Sequence, residues 1–307
     1  MFTNFKNLIE LQQAFPTQKE CLAYFKQILW SCDKPSDCPR CKCTHTYAYA
    51  DNHTYRCAGC NRKFNILTNT IFENTKVSLV KWFIAIYLTS TAKRGVSSPQ
   101  LAKTIGVTQS TAWFMLHRLR EAYGNMLSET VEGLTCVDET YIGGKYRNKH
   151  KHKRKAGSQG RSLMDKVLVF GALQIDGDIK TMVIPTYHNK LIVAAAQKCI
   201  APGSTVMSDE LHAYKHLGED YYHDFCDHAS KKYVSDTGAT TNPIENAWSH
   251  LKRTILGTYY HVSPKHIERY LREFEYKYNT RNAAEKERFG ILLSNCSGRL
   301  KYNDLVK

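Results

Sequence analysis

The chain has 307 residues, enough for about two domains. Its apolar fraction of 42% and charged fraction of 23% match a folded globular protein and exclude a disordered or collagen-like chain. With 43 Lys and Arg against 28 Asp and Glu, the formal charge of +15 points to a polyanionic partner, either nucleic acid or an acidic membrane surface. The most apolar stretch, Trp82 to Ala92, lies between Lys81 and Lys93 and is too short to span a bilayer. Residues Met1 to Lys6 lack a signal pattern. A reducing compartment is therefore expected, where the 11 cysteines serve as metal ligands or free thiols rather than as a disulfide framework.

In chain order, Leu8, Leu11, Phe15, Leu22, Phe25 and Leu29 recur at helical spacing, and Pro16 divides the segment into two short helices. Residues 32–64 are rich in Cys, Tyr and Thr and read as short strands, with a hairpin turn at Asp51-Asn52. Helical periodicity returns from Ser78 to Tyr123, broken at Gly106. Strands are expected over Leu134 to Ile142, Val167 to Ile175 and Ile179 to Thr186, the last two joined by an Asp176-Gly177 turn. A helix at Leu191 to Cys199, a strand at Ser204 to Ser208 and a short helix at Leu211 to Leu217 follow. Two longer helices, Pro243 to Leu256 and Pro264 to Asn279, open with proline.

Three motifs carry chemistry. Cys38-x2-Cys41 and Cys57-x2-Cys60, 15 residues apart, have the spacing of a tetrathiolate zinc ribbon; Cys32 and Cys43 lie nearby outside either pair. Four thiolates leave the zinc no open position, so its role is structural. Ser97 to Ala122 reads as a helix-turn-helix: Ser98 caps a helix starting at Pro99, Gly106-Val107 turn, and Thr108 caps a second helix. Gln109, Ser110 and Thr111 are placed to meet base edges, and Arg118 and Arg120 to meet phosphates. The third motif is a set of acids. Asp138 lies inside an apolar strand, Asp209 ends another, and Glu245 lies in the first turns of a helix, with 35 residues between it and Asp209. A carboxylate in an apolar strand needs a partner or a metal, and three such acids can hold two magnesium ions for phosphodiester chemistry. Lys252 shares the helical face of Glu245 and can neutralise a phosphate, whereas Glu139 alternates to the opposite strand face.

The basic stretch Lys145 to Arg161 holds eight Lys or Arg and no acid, and its Lys145, Arg147, Lys153, Arg154 and Lys155, with Arg253 further on, are expected on DNA backbone. His228 is a possible neighbour of the acids, and Tyr259, Tyr260 and His261 are possible liners of a DNA path. No Walker A, GxGxxG, GxSxG or HExxH pattern is present.

Taken with Thr111-Ala112-Trp113, Val137-Asp138-Glu139-Thr140-Tyr141-Ile142-Gly143-Gly144, Ser208-Asp209, Asn242-Pro243-Ile244-Glu245-Asn246-Ala247-Trp248 and Gly257-Thr258-Tyr259, these motifs resemble the DDE-superfamily insertion-sequence transposases with an N-terminal zinc ribbon, of the ISXO type and related to Merlin elements. The resemblance implies an α/β, ribonuclease H-like catalytic domain with its acids at Asp138, Asp209 and Glu245; Asn242 and Asn246 stay open as contributors to the third position. The expected order is a helical lead (1–31), zinc ribbon (32–72), helix-turn-helix (75–128), catalytic domain (130–290) and tail (291–307). The expected function is transposition: binding terminal inverted repeats, cutting at the ends with two Mg2+ or Mn2+ ions, and joining the 3′-hydroxyls to target DNA. Two ends must be held together, which implies a dimer or higher assembly on double-stranded DNA. The location is then cytoplasmic and nucleoid-associated in a bacterium, or nuclear in a eukaryote, with no membrane partner. The rival readings are a nuclease of the same fold that does not join strands and a DNA-binding regulator with an inactive catalytic domain.

Overall fold

A computed structural model describes residues 5–30, 34–51, 53–126, 128–143, 166–209, 214, 217, 220–225 and 240–306. The chain divides into two compact units, Met1–Met126 with Asn282–Lys307, and Leu127–Arg281.

The first unit opens with α1 (Leu8–Ala14) and α2 (Gln18–Trp30), separated at Pro16 as expected. A small antiparallel sheet follows, β1 (Thr46–Ala48), β2 (Thr54–Cys57) and β3 (Lys63–Asn65), in sequential order. Asp51 fixes the first hairpin by accepting the backbone N–H groups of His53 and Thr54, each at 2.9 Å. The inward row Tyr55 and Phe64 packs with Trp30 of α2, and the outward row Tyr47, Arg56 and Lys63 stays exposed.

Helices α3 (Leu79–Thr91), α4 (Ser98–Ile105) and α5 (Gln109–Gly124) complete this part. The cap of α4 is Ser97, one residue before the expected Ser98, because its hydroxyl accepts the Gln100 N–H. Gly106 ends α4 at φ 63°, a backbone state glycine adopts without steric penalty, and Thr108 caps α5 on the Thr111 N–H.

The second unit is a five-stranded mixed sheet. It comprises β4 (Leu134–Ile142), β5 (Val167–Gln174), β6 (Ile179–Ile184), β7 (Thr205–Ser208) and β8 (Tyr222–Phe225), ordered β6-β5-β4-β7-β8. β4, β5 and β6 pair antiparallel; β7 joins β4, and β8 joins β7, in parallel. β8 falls in a segment with no marked alternation and was not expected from the sequence.

One face of the sheet, Val137, Phe170, Ala172 and Val206, packs against α6 (Asn189–Cys199). The other, Cys136, Val169, Leu173 and Met207, packs against α7 (Asn242–Thr254) and α8 (Ile267–Asn279). Helices on both faces explain why β5 reads as a continuous apolar run rather than an alternation.

Residues 282–307 return to the first unit through α9 (Glu285–Ser294) and α10 (Tyr302–Val306). Phe289 of α9 is fully buried edge-on against Phe5 and Phe83, and Ile71 N–H donates to the Cys296 carbonyl at 2.9 Å. The second compact unit therefore closes at Arg281, short of the expected 290.

Candidate functional site

The cysteine pairs form two matched turns. Lys42 N–H donates to the Cys38 carbonyl at 2.9 Å, and Asn61 N–H donates to the Cys57 carbonyl at 3.0 Å. The residue after each second cysteine, Lys42 at φ 63° and Asn61 at φ 57°, is left-handed, which curls each turn around its two sulfurs. All four Sγ atoms lie within 4.8 Å of one another, with Cys38 to Cys60 at 3.8 Å and Cys41 to Cys57 at 3.4 Å. A tetrahedral zinc with bonds of about 2.3 Å sets its sulfurs about 3.8 Å apart, so these residues fit that ion. Cys43 stands against the second turn, 3.1 Å from where a side chain on Gly59 would begin, and is outside the set; Cys32 lies outside the described residues.

The acids are arranged differently. The parallel register of β7 on β4 pairs Leu134 with Thr205, Thr135 with Val206 and Cys136 with Met207; continued past the strand end, the same offset aligns Asp138 with Asp209. On its other side Asp138 pairs with Gly171 of β5. That glycine is an opening for α7: a Cβ there would lie 2.4 Å from Cζ2 of Trp248, so only glycine admits the indole. Trp248 and Ile244 seat α7 on the sheet, and Glu245 lies in the helix's first turn.

Burial pushes the Asp138 carboxyl up to about 6. The Glu139 N–H, donating at 2.8 Å, opposes this, while the charges of Asp209 and Glu245 add to the rise. The Trp248 N–H favours the charged form slightly from outside full hydrogen-bond geometry. Asp138 is thus a half-buried acid that feels the charges of two others, an arrangement that a cation relieves. Among the described residues, the four cysteines are the group that converges on one ion's position.

Glu139, expected to pair with a cation or support the acids from the opposite strand face, is held by a tyrosine. It accepts a hydrogen bond from the buried Tyr214 hydroxyl. Burial pushes it up to about 7, with Tyr214 opposing and Asp138 and Asp209 adding. Beside Asp209, Ser208 shares a 2.8 Å hydrogen bond with His223 of β8. Neither Tyr214 nor His223 carries a local sequence signal, because each is placed by strand pairing and core packing.

Lys252 is exposed two turns along α7 from Glu245; Asn242 and Asn246 are exposed near its start. Arg253 is exposed and donates to the Ser249 hydroxyl at 2.6 Å. On α5, Gln109 and Ser110 are exposed, and Thr111 shares a hydrogen bond with Thr108. Arg118 and Arg120 require a correction: both are buried, at 6% and 1% exposure, and are not presented to a phosphate. Arg118 donates to the carbonyls of Ile71 at 2.8 Å and Glu73 at 3.2 Å, clamping the turn ahead of α3. Lys145, Arg147, Lys153, Arg154, Lys155 and His228 lie outside the described residues. Among the described residues, no helix is long and apolar enough to cross a membrane.

Comparison with known proteins places both regions. Residues 16–63 match the transposase zinc-ribbon domain, and residues 126–279, half of the chain, match the ISXO2-like transposase domain. A Halobacterium salinarum protein, described as an uncharacterized protein in transposable element ISH50, is 27% identical over 92% of this chain and 97% of its own length. An uncharacterized transposase-like protein of Haemophilus influenzae is 26% identical over 40% of this chain and 96% of its own. The chain belongs to the ISXO2-like transposase family.

Proposed function

We propose that this chain is a metal-dependent DNA transposase that binds the terminal inverted repeats of its element, cuts at their ends and joins the freed 3′-hydroxyls to target DNA. The observation that carries this reading is the seating of three acids from three elements around one sheet position. Asp209 follows β7 into register with Asp138, and Gly171 admits the helix that bears Glu245. The sheet order β6-β5-β4-β7-β8, with three antiparallel strands followed by two parallel ones, supports a ribonuclease H-like catalytic domain.

Asp138, Asp209 and Glu245 would hold two Mg2+ ions, since carboxylate oxygens are the ligands that hard cations take. Ions so held supply an activated water or 3′-hydroxyl and charge stabilisation at the leaving oxygen. The chain's own residues supply the rest. Asp138, half-buried and held above its usual range, accepts a cation in preference to staying ionised alone. Lys252 offers an exposed ammonium to a phosphate on the same helical face. Glu139, tied by Tyr214, keeps β4 fixed where Asp138 projects.

DNA binding falls to the first unit and to cations of the second. The helix pair α4 and α5 supports a helix-turn-helix reading, with Gln109 and Ser110 free to meet bases at the start of α5. The ribbon's exposed row of Tyr47, Arg56 and Lys63 offers backbone contacts beside it. Holding two ends together calls for at least a dimer on DNA.

The test is a strand-transfer assay with labelled element ends, a target plasmid and Mg2+. Joined product from the wild type, absent for Asp138→Asn, is expected. Cut ends without joined product would make the chain a nuclease instead. Repeat binding with neither product would make it a regulator.

A further inference from the structure

Helix α7 runs directly into a π-helical turn, Ile255–Tyr259, and the residue that leaves it, Tyr260, has φ 63° and ψ −49°. This lies in a region that side-chain-bearing residues rarely adopt, and it is a tight γ-turn: His261 N–H donates back to the Tyr259 carbonyl at 2.7 Å. Glycine would take this turn without strain, yet a large aromatic occupies it.

The strain has a visible product. The Tyr260 side chain is 86% exposed and Leu256, four residues earlier, is 69% exposed. The turn beneath them is firmly tied. Tyr260 N–H donates to the Ile255 carbonyl at 2.6 Å, and the neighbouring Tyr259 hydroxyl donates to Glu273 of α8 at 2.6 Å. Tyr259 packs edge-on against Tyr270 at 4.8 Å, and the buried Glu273 also pairs with Lys277 at 3.5 Å. The exposed ring is therefore held out by a rigid base rather than carried on a slack loop.

Its surroundings select the ligand. From Asn246 to Ile267 the sequence has three Lys or Arg, at Lys252, Arg253 and Lys265, and no acid. A narrow apolar pair flanked by cations matches a nucleobase with its phosphates, since rings stack on bases while cations meet the backbone. A docking face for protein would call for a broader apolar patch.

We propose that Tyr260, backed by Leu256, is a wedge that stacks on a DNA base and holds the duplex unstacked near the cut, a reading that rests on the transposase function above. Tyr260 lies fifteen positions after Glu245, so at a helical rise of about 1.5 Å per residue the wedge lies within about 22 Å of Glu245 along the helix.

The experiment uses the zinc-loaded full chain and duplexes carrying the element's end, each with one 2-aminopurine at successive positions near the cut. Calcium replaces magnesium so that the DNA is bound and not cut. The wild type should raise fluorescence at one position. That rise should be lost in Tyr260→Gly and Tyr260→Ala and kept in Tyr260→Trp. Tyr260→Gly removes ring and strain together, so its Tm should rise by about 2–4 °C and misfolding would not explain the loss. If the wild type cuts element ends in magnesium yet gives the same fluorescence as Tyr260→Gly, the wedge is overturned and the transposase reading stands. If Tyr260→Gly alters only the mass of the assembly, Tyr260 is a contact between copies and the wedge is again overturned. A wild type that neither binds nor cuts the ends overturns both readings.

Discussion

The cysteine centre and the acidic centre solve opposite problems. The four sulfurs come from two short, nearly identical turns and already lie within 4.8 Å of one another, so one ion closes a set that local backbone has assembled. The acids come from a central strand, the end of a neighbouring strand and a helix on one face, and the charges of Asp209 and Glu245 make Asp138 harder to ionise. The first site is a fold that needs a metal; the second is a site that a fold holds open against its own repulsion. Removing ligands should therefore move stability in opposite directions at the two places.

The largest effect is expected from Cys57→Ser. A structural zinc contributes about 10–16 kcal/mol to a small metal-dependent fold, so the variant should retain no zinc and lose the ribbon's sheet, read by metal analysis and near-ultraviolet dichroism. Asp138→Asn should lower magnesium-dependent cleavage about a thousandfold, about 4 kcal/mol of barrier. In metal-free buffer at neutral pH the same variant should melt higher than the wild type, by up to about 3 kcal/mol, because a buried repelled charge is gone. A lower melting point would erase the contrast between the two centres.

Gly171→Ala should be intermediate. The added carbon meets the Trp248 ring at 2.4 Å, so α7 must shift, costing about 1–3 kcal/mol and carrying Glu245 away from Asp138. Thermal melts and cleavage rates should fall together.

A pH test separates the acids from Glu275, a buried carboxylate elsewhere in the second unit. Burial pushes Glu275 up to about 7, against the opposing hydrogen bonds from Thr181. A raised acid keeps its proton in the folded chain and loses it near 4.5 when unfolded. Its contribution is thus full below about pH 4.5 and disappears as pH rises through about 7, a change of about 3 kcal/mol. Glu275→Gln should flatten that part of the stability profile without touching zinc content. The smallest effect is expected from Lys252→Ala: about a tenfold loss of cleavage with unchanged melting, since the side chain is exposed.

What the sequence revealed tracks how local each feature is. The cysteine pairs and the limits of β4, Leu134–Ile142, were legible because spacing and an apolar run are properties of neighbouring residues. Asp138 stood out for the same reason, as a charge inside such a run. Arg118 and Arg120 were misjudged because helical periodicity marks one apolar stripe, while α5 buries its other sides too, with His117, just before Arg118, at 0% exposure. His223 was missed because pairing of β8 on β7 brings it beside Ser208, and Tyr214 because core packing brings it beside Glu139. The seat of α7 depends on Gly171, which looks in the sequence like one more small residue in a strand.

The return of residues 282–307 to the first unit has a consequence for how the protein is made. Phe289 and the Cys296 backbone complete a core whose other members, Phe5, Ile71 and Phe83, are synthesised far earlier. On the ribosome the second unit emerges whole before the first can close. A stop or frameshift anywhere between them leaves the first unit without its aromatic keystone, so truncated products should not persist as folded chains.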